Sequence, residues 1–457
     1  MRKTLNRLLN FMRGRAATAW IVLLGLAARL LMLLRIAPLP LMSDAASYSR
    51  MGADLAAGRR FVPFWPPGLP LYLAAVASTF GASELAARLA MLPFYLALCW
   101  ALYRMTLHLT GEPACGNLAL LPLAFAPGMI CASVEPVTEM PSAMLLTLAA
   151  CILLGVKRGK AGSAPWALGA VIGCMTLLRP ASLILLSFAP FYLAWRAKSR
   201  LAGTAVCLIP LAMVAAWVGY VHGGTGQWVA INTANAKNFY YGNNPQTPLY
   251  RTWWMGSHHQ PGEAAGTSET PEELARYSSI AREYVVHRPG LFLLRTFNRV
   301  CVFFALNTYA GAYAIEEYGF PKMLGLTMVA IDAALYFLVA IGSILYLATL
   351  PTWKGLDSGW NDGAGKSGLV QACLLLALCL LYASPYFVAF SHPRYRFPME
   401  PLLMAASAAF ALPFIRGAPR AALERLRGRR IAAATAIALF LAIQIEFVVI
   451  VARAGLL

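Results

Sequence analysis

The chain has 457 residues, of which 59% are hydrophobic and only 12% are charged. This composition excludes an ordinary soluble protein, because apolar runs recur from Ala17 to Val451 and no polar stretch between them is long enough for a large soluble domain. The formal net charge of +19 does not indicate a nucleic-acid partner, since the basic residues lie in short loops between apolar runs and not on one soluble face.

Apolar segments follow one another along the whole chain, and a membrane-spanning helix needs about 20 such residues. The candidate segments, in chain order, are residues 17–36, 68–80, 89–109, 118–134, 140–156, 166–178, 181–195, 201–221, 291–306, 323–350, 370–390, 402–415 and 431–451. Several are shorter than a full span. The sequence therefore predicts an all-α polytopic membrane protein with about 11–13 transmembrane segments and interfacial helices in its external loops.

Basic residues indicate which loops face the cytoplasm, because short cytoplasmic loops of membrane proteins are enriched in lysine and arginine. The basic regions are residues 2–15, 157–160, 196–200 and 416–430. We assign these regions to the cytoplasm, and the polar stretches 38–67, 135–139, 222–289 and 391–397 to the external side. The predicted organisation is an N-terminal transmembrane module (1–221) with a first external loop (38–67), an external loop region (222–290) and a C-terminal transmembrane module (291–457).

This assignment is inconsistent if every apolar segment crosses the membrane. One segment too many lies between residues 68 and 134, and another between residues 291 and 350. The segment 291–306 contains Arg295 and Arg299 and continues an amphipathic stretch, so we predict that it is interfacial or re-entrant. The sequence does not identify the other non-crossing segment.

Asp44 follows the first apolar segment in the run SDAASY (43–48) and is the first carboxylate of the chain, with Asp54 the next. A carboxylate at the membrane surface can take the proton of a hydroxyl that attacks an anomeric carbon, so Asp44 is a candidate general base. The alternative is a helix N-cap, because serine and aspartate side chains bind the first-turn amides of helices. The sequence leaves both interpretations open.

Four short motifs together resemble the GT-C superfamily of membrane glycosyltransferases, in the branch that contains bacterial aminoarabinose transferases and protein mannosyltransferase-like enzymes. They are Asp44 with Tyr48, the PPG step at 66–68, the GNNP run at 242–245 and the HPRYRFP run at 392–398. The resemblance spans nearly the whole chain and implies a GT-C-type fold with a catalytic acid in the first external loop. Asp44 is the residue that matches, although many relatives carry two adjacent acids where this chain has Asp44 and Ala45.

A second catalytic acid could come from Glu135 or Glu139. Relatives often have an acidic residue at the start of a helix, and Glu139 matches that pattern better. The alternative interpretation is again a favourable negative charge at a helix N-terminus.

A polyprenyl-phosphate leaving group requires cations at the membrane surface, and the arginine fork matches phosphate oxygens in a way that lysine cannot. The candidates are Arg394 and Arg396, then Arg179 and Lys237, with His392 and Tyr395 as hydrogen-bonding helpers. The alternative is that these basic side chains extend to the head groups from helix ends.

Aromatic and amide side chains suit sugar faces and hydroxyls, so Tyr48, Tyr241, Asn243 and Asn244 are further candidates for substrate binding, with an interfacial aromatic belt as the alternative. The histidines and cysteines lack the spacing of a metal site. No cofactor is predicted with certainty, and a divalent metal has no support in the sequence.

The resemblance implies a glycosyltransferase that moves a sugar, with inversion, from a polyprenyl-phosphate donor to a hydroxyl of a lipid, glycan or protein acceptor, with Asp44 as general base. It implies a location in the cell inner membrane with the active site on the periplasmic side, and a role in the cell envelope such as lipopolysaccharide modification. The alternatives are a flippase for lipid-linked sugars and an O-antigen ligase-like enzyme.

Overall fold

The computed structural model of the protein describes residues 2–61, 63–245, 247, 271–350 and 364–453. In these ranges the regular structure is helical, with one isolated bridge between Lys157 and Lys160 and no named strand. The predicted all-α class is confirmed. Residues 246 and 248–270 of the predicted external region lie outside the described residues.

The helices of the first half are α1 Arg2–Arg13, α2 Arg15–Ile36, α3 Ser43–Ala56, α4 Gly68–Phe80, α5 Glu84–Leu89, α6 Leu92–Thr110, α7 Pro113–Phe125, α8 Pro127–Ala132, α9 Glu139–Gly155, α10 Ala164–Leu178, α11 Ala189–Ala197 and α12 Arg200–Thr225. Those of the second half are α13 Ala234–Gly242, α14 Pro271–His287, α15 Pro289–Phe304, α16 Tyr309–Glu316, α17 Lys322–Thr349, α18 Ala364–Val388, α19 Glu400–Phe410, α20 Leu412–Ile415, α21 Pro419–Gly428 and α22 Arg430–Arg453. Two 3₁₀ segments, Pro180–Ser187 and Pro393–Met399, complete the described regular structure.

Six helical segments of the described chain are long and apolar enough to cross a membrane: Arg15–Ile36, Glu84–Thr110, Arg200–Thr225, Lys322–Thr349, Gly368–Val388 and Arg430–Val449. Shorter apolar helices, such as α9 and α10, pack between them and supply much of the main apolar core. Large apolar side chains, among them Leu34 and Leu201, are exposed on the outside of the bundle. These features describe a multi-pass membrane protein, because such an apolar exterior is stable only in lipid.

The four basic regions meet at one end of the helix bundle, which we call the basic end. Arg13 Nε donates to Glu112 Oε1 at 3.0 Å, and its Nη2 donates to the carbonyl of Ile415 at 3.4 Å. Arg416 Nη2 donates to the carbonyl of Thr110 at 3.1 Å. Further contacts at this end are Gly159 N to Arg196 O (3.0 Å), Arg196 Nε to Val156 O (3.1 Å) and Gln371 Nε2 to His108 O (3.1 Å).

The stretches predicted to be external meet one another at the opposite end, which we call the polar end. The contacts that join them are Thr233 N to Pro63 O (2.8 Å), Arg394 Nη2 to Asp44 Oδ2 (2.6 Å) and Arg394 Nε to Glu139 Oε1 (2.5 Å). Residues just outside these stretches also contact them, as in Leu41 N to Glu84 Oε2 (3.1 Å) and Asn243 Nδ2 to Val388 O (3.1 Å). The contacts therefore agree with the two-sided arrangement that the charge pattern predicts.

Two apolar elements begin and end at the polar end, and they explain the surplus of apolar segments. Helix α4 follows the first external loop, and Glu84, four residues after α4 ends, already contacts Leu41 in that loop. The pair α15–α16 is bent by 69°. Arg299 of α15 contacts Ala389, and Glu317, which follows α16, contacts Ser43. For the second element, residues 291–306, the sequence predicted a segment that is interfacial, re-entrant or not a helix of its own, and it left the first element unidentified.

The intramembrane residue Arg29 has a structural explanation in the break between α7 and α8. Pro127 lacks the N–H that would bind the carbonyl of Leu123, and Arg29 donates to the carbonyls of Leu123 (2.9 Å) and Ala124 (3.0 Å) instead. On the other side of the break, Asp332 of α17 accepts the N–H of Gly128 at 2.8 Å. Backbone groups that a broken helix frees at membrane depth must find such partners.

We expect cysteines at Gln227 and Ala418 to react from opposite sides of the membrane, because these exposed residues lie at the polar and basic ends respectively. The background should lack the exposed Cys174 and Cys373. An impermeant maleimide added outside should label only position 227, and position 418 should react after permeabilisation. Labelling of both positions from outside would show that the charge pattern was misassigned.

Candidate active site

Asp44 lies in the first turn of α3 at the polar end, and 31% of its side chain is exposed. The N-cap of α3 is Met42, and no side chain caps the helix. Neither Ser43 nor Asp44 is therefore a side-chain N-cap, although Asp44 does place a negative charge in the first turn of the helix. The preceding Ser43 has a φ of +49°, a left-handed conformation that is uncommon for residues other than glycine. The Asp44 side chain reaches Arg394 of the 3₁₀ segment Pro393–Met399.

Arg394 joins the two predicted acids. Its Nη2 lies 2.6 Å from Oδ2 of Asp44, and its Nε lies 2.5 Å from Oε1 of Glu139. The guanidinium also packs on the ring of Tyr309, 4.8 Å from the ring centroid. Burial alone would lower the pKa of Arg394, but Glu139, Tyr309 and Asp44 raise this pKa well above its usual range, so the side chain stays charged.

Glu139 is the first residue of α9, and only 2% of its side chain is exposed. Besides Arg394, its Oε1 accepts a hydrogen bond from Nη2 of Arg179 at 2.8 Å. Its Oε2 has no hydrogen-bond partner among the described residues. One carboxylate thus lies between two guanidinium groups, and the four side chains Asp44, Arg394, Glu139 and Arg179 form a continuous chain of alternating charge.

Arg179 occupies the junction between α10 and the 3₁₀ segment Pro180–Ser187, where a proline ends the helix. Its Nη1 donates to the hydroxyl of Tyr386 at 3.4 Å. The ring of Tyr395 lies beside it, with its centroid 5.8 Å from the guanidinium carbon and 5.0 Å from the ring of Tyr386. An aromatic wall therefore flanks the charged chain.

Tyr48 and His392 also lie at this site. Tyr48 is one turn after Asp44, is buried, and packs against Trp65 at 5.7 Å. Burial and the Asp44 carboxylate raise the pKa of Tyr48 well above its usual range, so its hydroxyl stays protonated. His392 accepts a hydrogen bond from the backbone N–H of Arg394 at 2.9 Å through Nδ1, which fixes the start of the 3₁₀ segment.

Arg396 lies away from this chain of charges, although it is two residues from Arg394. Its side chain is 1% exposed, and its Nε binds Glu400 at 3.1 Å. Its Nη1 donates to the carbonyl of Phe303 in α15 and to that of Ala305 just after this helix. The predicted arginine doublet is therefore divided, with Arg394 in the charged site and Arg396 inside the helix bundle. We do not include Arg396 among the phosphate-binding residues.

The candidates in the long loop form a junction between that loop, α15 and the end of α18. Asn243 accepts from Arg299 at 3.2 Å and donates to the carbonyl of Val388 at 3.1 Å. The carbonyl of Asn244 accepts from Arg295 at 3.0 Å. The buried Lys237 and the ring of Tyr241 lie next to this junction, 5.8 Å from nitrogen to ring centroid.

Glu135, the other acid that the sequence offered, has a different environment. It accepts hydrogen bonds from Arg88 at 3.3 Å and from the hydroxyl of Tyr318 at 3.1 Å. Arg88 in turn donates to the carbonyl of Leu39 at 2.7 Å. This buried ion pair fixes the first external loop at the end of α2, five residues before Asp44.

Sequence reasoning missed three residues of the site, namely Tyr309, Tyr386 and Glu317. Tyr309 is the first residue of the short helix α16, and Glu317 follows the last. Tyr386 lies inside an apolar segment. The polar step Asn307-Thr308 after an apolar run was the available signal. Among the residues described in the structure, no group of three or more histidine, cysteine, aspartate or glutamate side chains could bind a metal ion.

No protein-family model matches the chain, and no curated protein matches its sequence. Among solved structures, the chain is similar to the archaeal oligosaccharyltransferase AglB from Archaeoglobus fulgidus, solved in complex with an inhibitory peptide and a dolichol-phosphate. The identity is 13% and the TM-score is 0.47, and the similarity covers 93% of this chain. The chain spans 55% of the length of that protein.

Proposed function

We propose that this protein is a membrane glycosyltransferase of the GT-C type, which moves a sugar from a polyprenyl-phosphate donor to a hydroxyl acceptor. The observation that carries the proposal is the chain Asp44–Arg394–Glu139–Arg179, with contacts of 2.5 to 2.8 Å. Four separate parts of the sequence bring together a partly exposed carboxylate, a buried carboxylate and two guanidinium groups at one end of an apolar bundle. A glycosyl transfer with a phosphate leaving group needs this combination of a base and cations.

The proposed chemistry is a single displacement with inversion at the anomeric carbon. The acceptor hydroxyl gives its proton to Asp44 while its oxygen bonds to the anomeric carbon. The bond between that carbon and the phosphate oxygen breaks, and the electron pair leaves with the polyprenyl phosphate. Arg394 and Arg179 bind the phosphate oxygens, on which negative charge develops.

Arg394 has a double role in this proposal. One guanidinium binds both Asp44 and Glu139. A donor phosphate that binds Arg394 competes with Asp44 for it, and so leaves the Asp44 carboxylate free to take a proton. Glu139, which also binds Arg179, keeps both arginines in place during this exchange.

In this proposal the bilayer supplies the donor, and the site lies on the external side of the inner membrane; the positive-inside rule, which assigns the basic loops to the cytoplasm, supports this side. Substrate binding is further assigned to Tyr48, Tyr395 and His392 around the charged chain, and to Lys237, Tyr241, Asn243 and Asn244 in the long loop. The acceptor is a lipid, glycan or protein hydroxyl.

The test is transfer by purified protein in liposomes, with a panel of radiolabelled polyprenyl-phosphate sugars and mixed envelope lipids, glycans and peptides as acceptors. We expect one donor to lose its label to an acceptor, with release of polyprenyl phosphate. Movement of intact donors across the bilayer without transfer would indicate a flippase. Transfer from a diphosphate-linked donor alone would indicate a ligase.

We expect Arg394→Lys to reduce donor use by about tenfold or more, because a charged hydrogen bond contributes about 1.5 to 3 kcal/mol and lysine loses the fork that binds two partners. The measurement is donor titration of the purified variant. Arg59→Lys is the matched control, since Arg59 forms an exposed ion pair with Asp54 on the same helix as Asp44. Wild-type donor affinity and rate in Arg394→Lys would reject its role as a phosphate ligand.

A further inference from the structure

The break between α15 and α16 exposes consecutive backbone carbonyls inside the helix bundle. Helix α15 ends at Phe304, and the chain then bends by 69° before α16 begins at Tyr309. The last carbonyls of a helix have no partner within it. At membrane depth such groups need partners from elsewhere in the protein.

Fixed side chains of three other elements supply those partners. Arg396 Nη1 donates to the carbonyls of Phe303 at 2.9 Å and Ala305 at 2.7 Å. The carbonyl of Phe304 accepts from the hydroxyl of Tyr336 at 2.9 Å and from Nε2 of Gln444 at 2.9 Å. Three carbonyls in a row are thus bound by the 3₁₀ segment, α17 and α22.

Arg396 is itself held by a carboxylate and an aromatic ring. Its Nε binds Glu400, its guanidinium lies on the ring of Tyr336 with 3.7 Å to the centroid, and it is 1% exposed. A cavity of about 40 Å³ lies between this group and Asn307. The turn is therefore held both by these hydrogen bonds and by apolar packing of Ala305 and Leu306 against Phe447.

The residues that follow the turn reach the charged site. The ring of Tyr309 packs on the guanidinium of Arg394 at 4.8 Å. At the other end of α16, Glu317 accepts a hydrogen bond from Ser43, the residue before Asp44, at 3.3 Å. Arg394 and Arg396 belong to the same 3₁₀ segment, so one segment contacts both ends of the stretch from Phe303 to Tyr309.

We propose that Arg396 is a positioning residue, which fixes the turn after α15 so that Tyr309 packs on the Arg394 guanidinium. This extends the proposed function and rests on it for its effect on transfer. Arg396 acts through Tyr309 and does not contact substrate. Arginine suits this position because its planar guanidinium donates to two carbonyls from Nη1 and to Glu400 from Nε, whereas lysine has a single nitrogen and no fixed plane.

The first test is a double-mutant cycle on transfer. We expect Arg396→Lys and Tyr309→Ala each to reduce the rate about tenfold, and the double variant to lose no more than Tyr309→Ala alone, because residues that act through one contact are not additive. Effects that multiply would overturn the proposal. If Arg396→Lys does not fold, Tyr336→Phe is the milder variant, because it removes only the hydrogen bond to the carbonyl of Phe304. Combined with Tyr309→Ala, it too should lose no more activity than Tyr309→Ala alone.

The second test does not depend on activity. With 3-fluorotyrosine at position 309, the ¹⁹F resonance should shift or broaden in Arg396→Lys and stay unchanged in the control Arg59→Lys. An unchanged resonance in folded Arg396→Lys would overturn the positioning role. If no donor is ever transferred, this measurement still decides whether Arg396 fixes Tyr309, so failure of the proposed function and failure of this inference can be told apart.

Discussion

Replacing Asp44 with asparagine is expected to reduce sugar transfer by about two to four orders of magnitude, the usual contribution of a general base. Asparagine cannot take the acceptor proton. Its carbonyl oxygen can still accept the hydrogen bond from Arg394 that Asp44 Oδ2 accepts at 2.6 Å. The variant should therefore fold, insert and bind donor, while the chemical step fails.

Asp54→Asn is the matched control for this variant. Asp54 lies on the same helix α3, and its partner Arg59 is 68% exposed, so the loss of this ion pair should have little effect. Both variants should be compared at equal amounts of folded protein, by single-turnover transfer at saturating donor. Turnover by Asp44→Asn at the rate of Asp54→Asn would remove Asp44 from the mechanism.

Glu139→Gln is expected to have the largest effect on stability. The Glu139 side chain is 2% exposed and binds Arg394 and Arg179 at 2.5 and 2.8 Å. Glutamine can still accept a hydrogen bond, but the two buried guanidinium groups lose the negative charge that they share, and breaking a buried ion pair costs about 3 to 5 kcal/mol. Transfer should fall as well, because both proposed phosphate ligands lose their position.

The measurement is thermal unfolding in detergent, with Glu112→Gln as the control. Glu112 is 12% exposed and pairs at the basic end with Arg13, whose side chain is 41% exposed. Loss of the Glu112 charge leaves a cation that water can solvate, so the cost should be smaller than at Glu139. Glu139→Gln should therefore unfold at a clearly lower temperature than Glu112→Gln. Equal unfolding temperatures would mean that the Glu139 contacts add no net stability.

Sequence reasoning predicted the long helices well, because an apolar run of about 20 residues is typical of a membrane-spanning helix. The segment 17–36 corresponds to helix Arg15–Ile36, and the segment 323–350 to helix Lys322–Thr349. The same apolar content describes Gly68–Phe80, which returns to the polar end. Whether such a helix crosses depends on contacts at both its ends, such as that of Glu84 with Leu41, and a hydropathy pattern carries no information on these.

The site was predictable only in part, and for a geometric reason. Asp44, Glu139, Arg179 and Arg394 are each charged residues at the external ends of apolar segments, so the charge pattern brings them to one side. Arg396 carries the same signal and follows Arg394 by two residues in the same 3₁₀ segment, yet it points into the helix bundle. With three residues per turn, side chains two positions apart point in different directions, and the choice between site and interior needs the structure.

The measurement that tests the central claim most directly is the reaction of the purified protein in liposomes with a polyprenyl-phosphate sugar of known anomeric configuration. The product linkage is determined by NMR, and released polyprenyl phosphate is counted against transferred sugar. The proposal predicts one polyprenyl phosphate for each sugar transferred, and a product of opposite anomeric configuration. A product with retained configuration, or donor that crosses the bilayer with its sugar still attached, would contradict it.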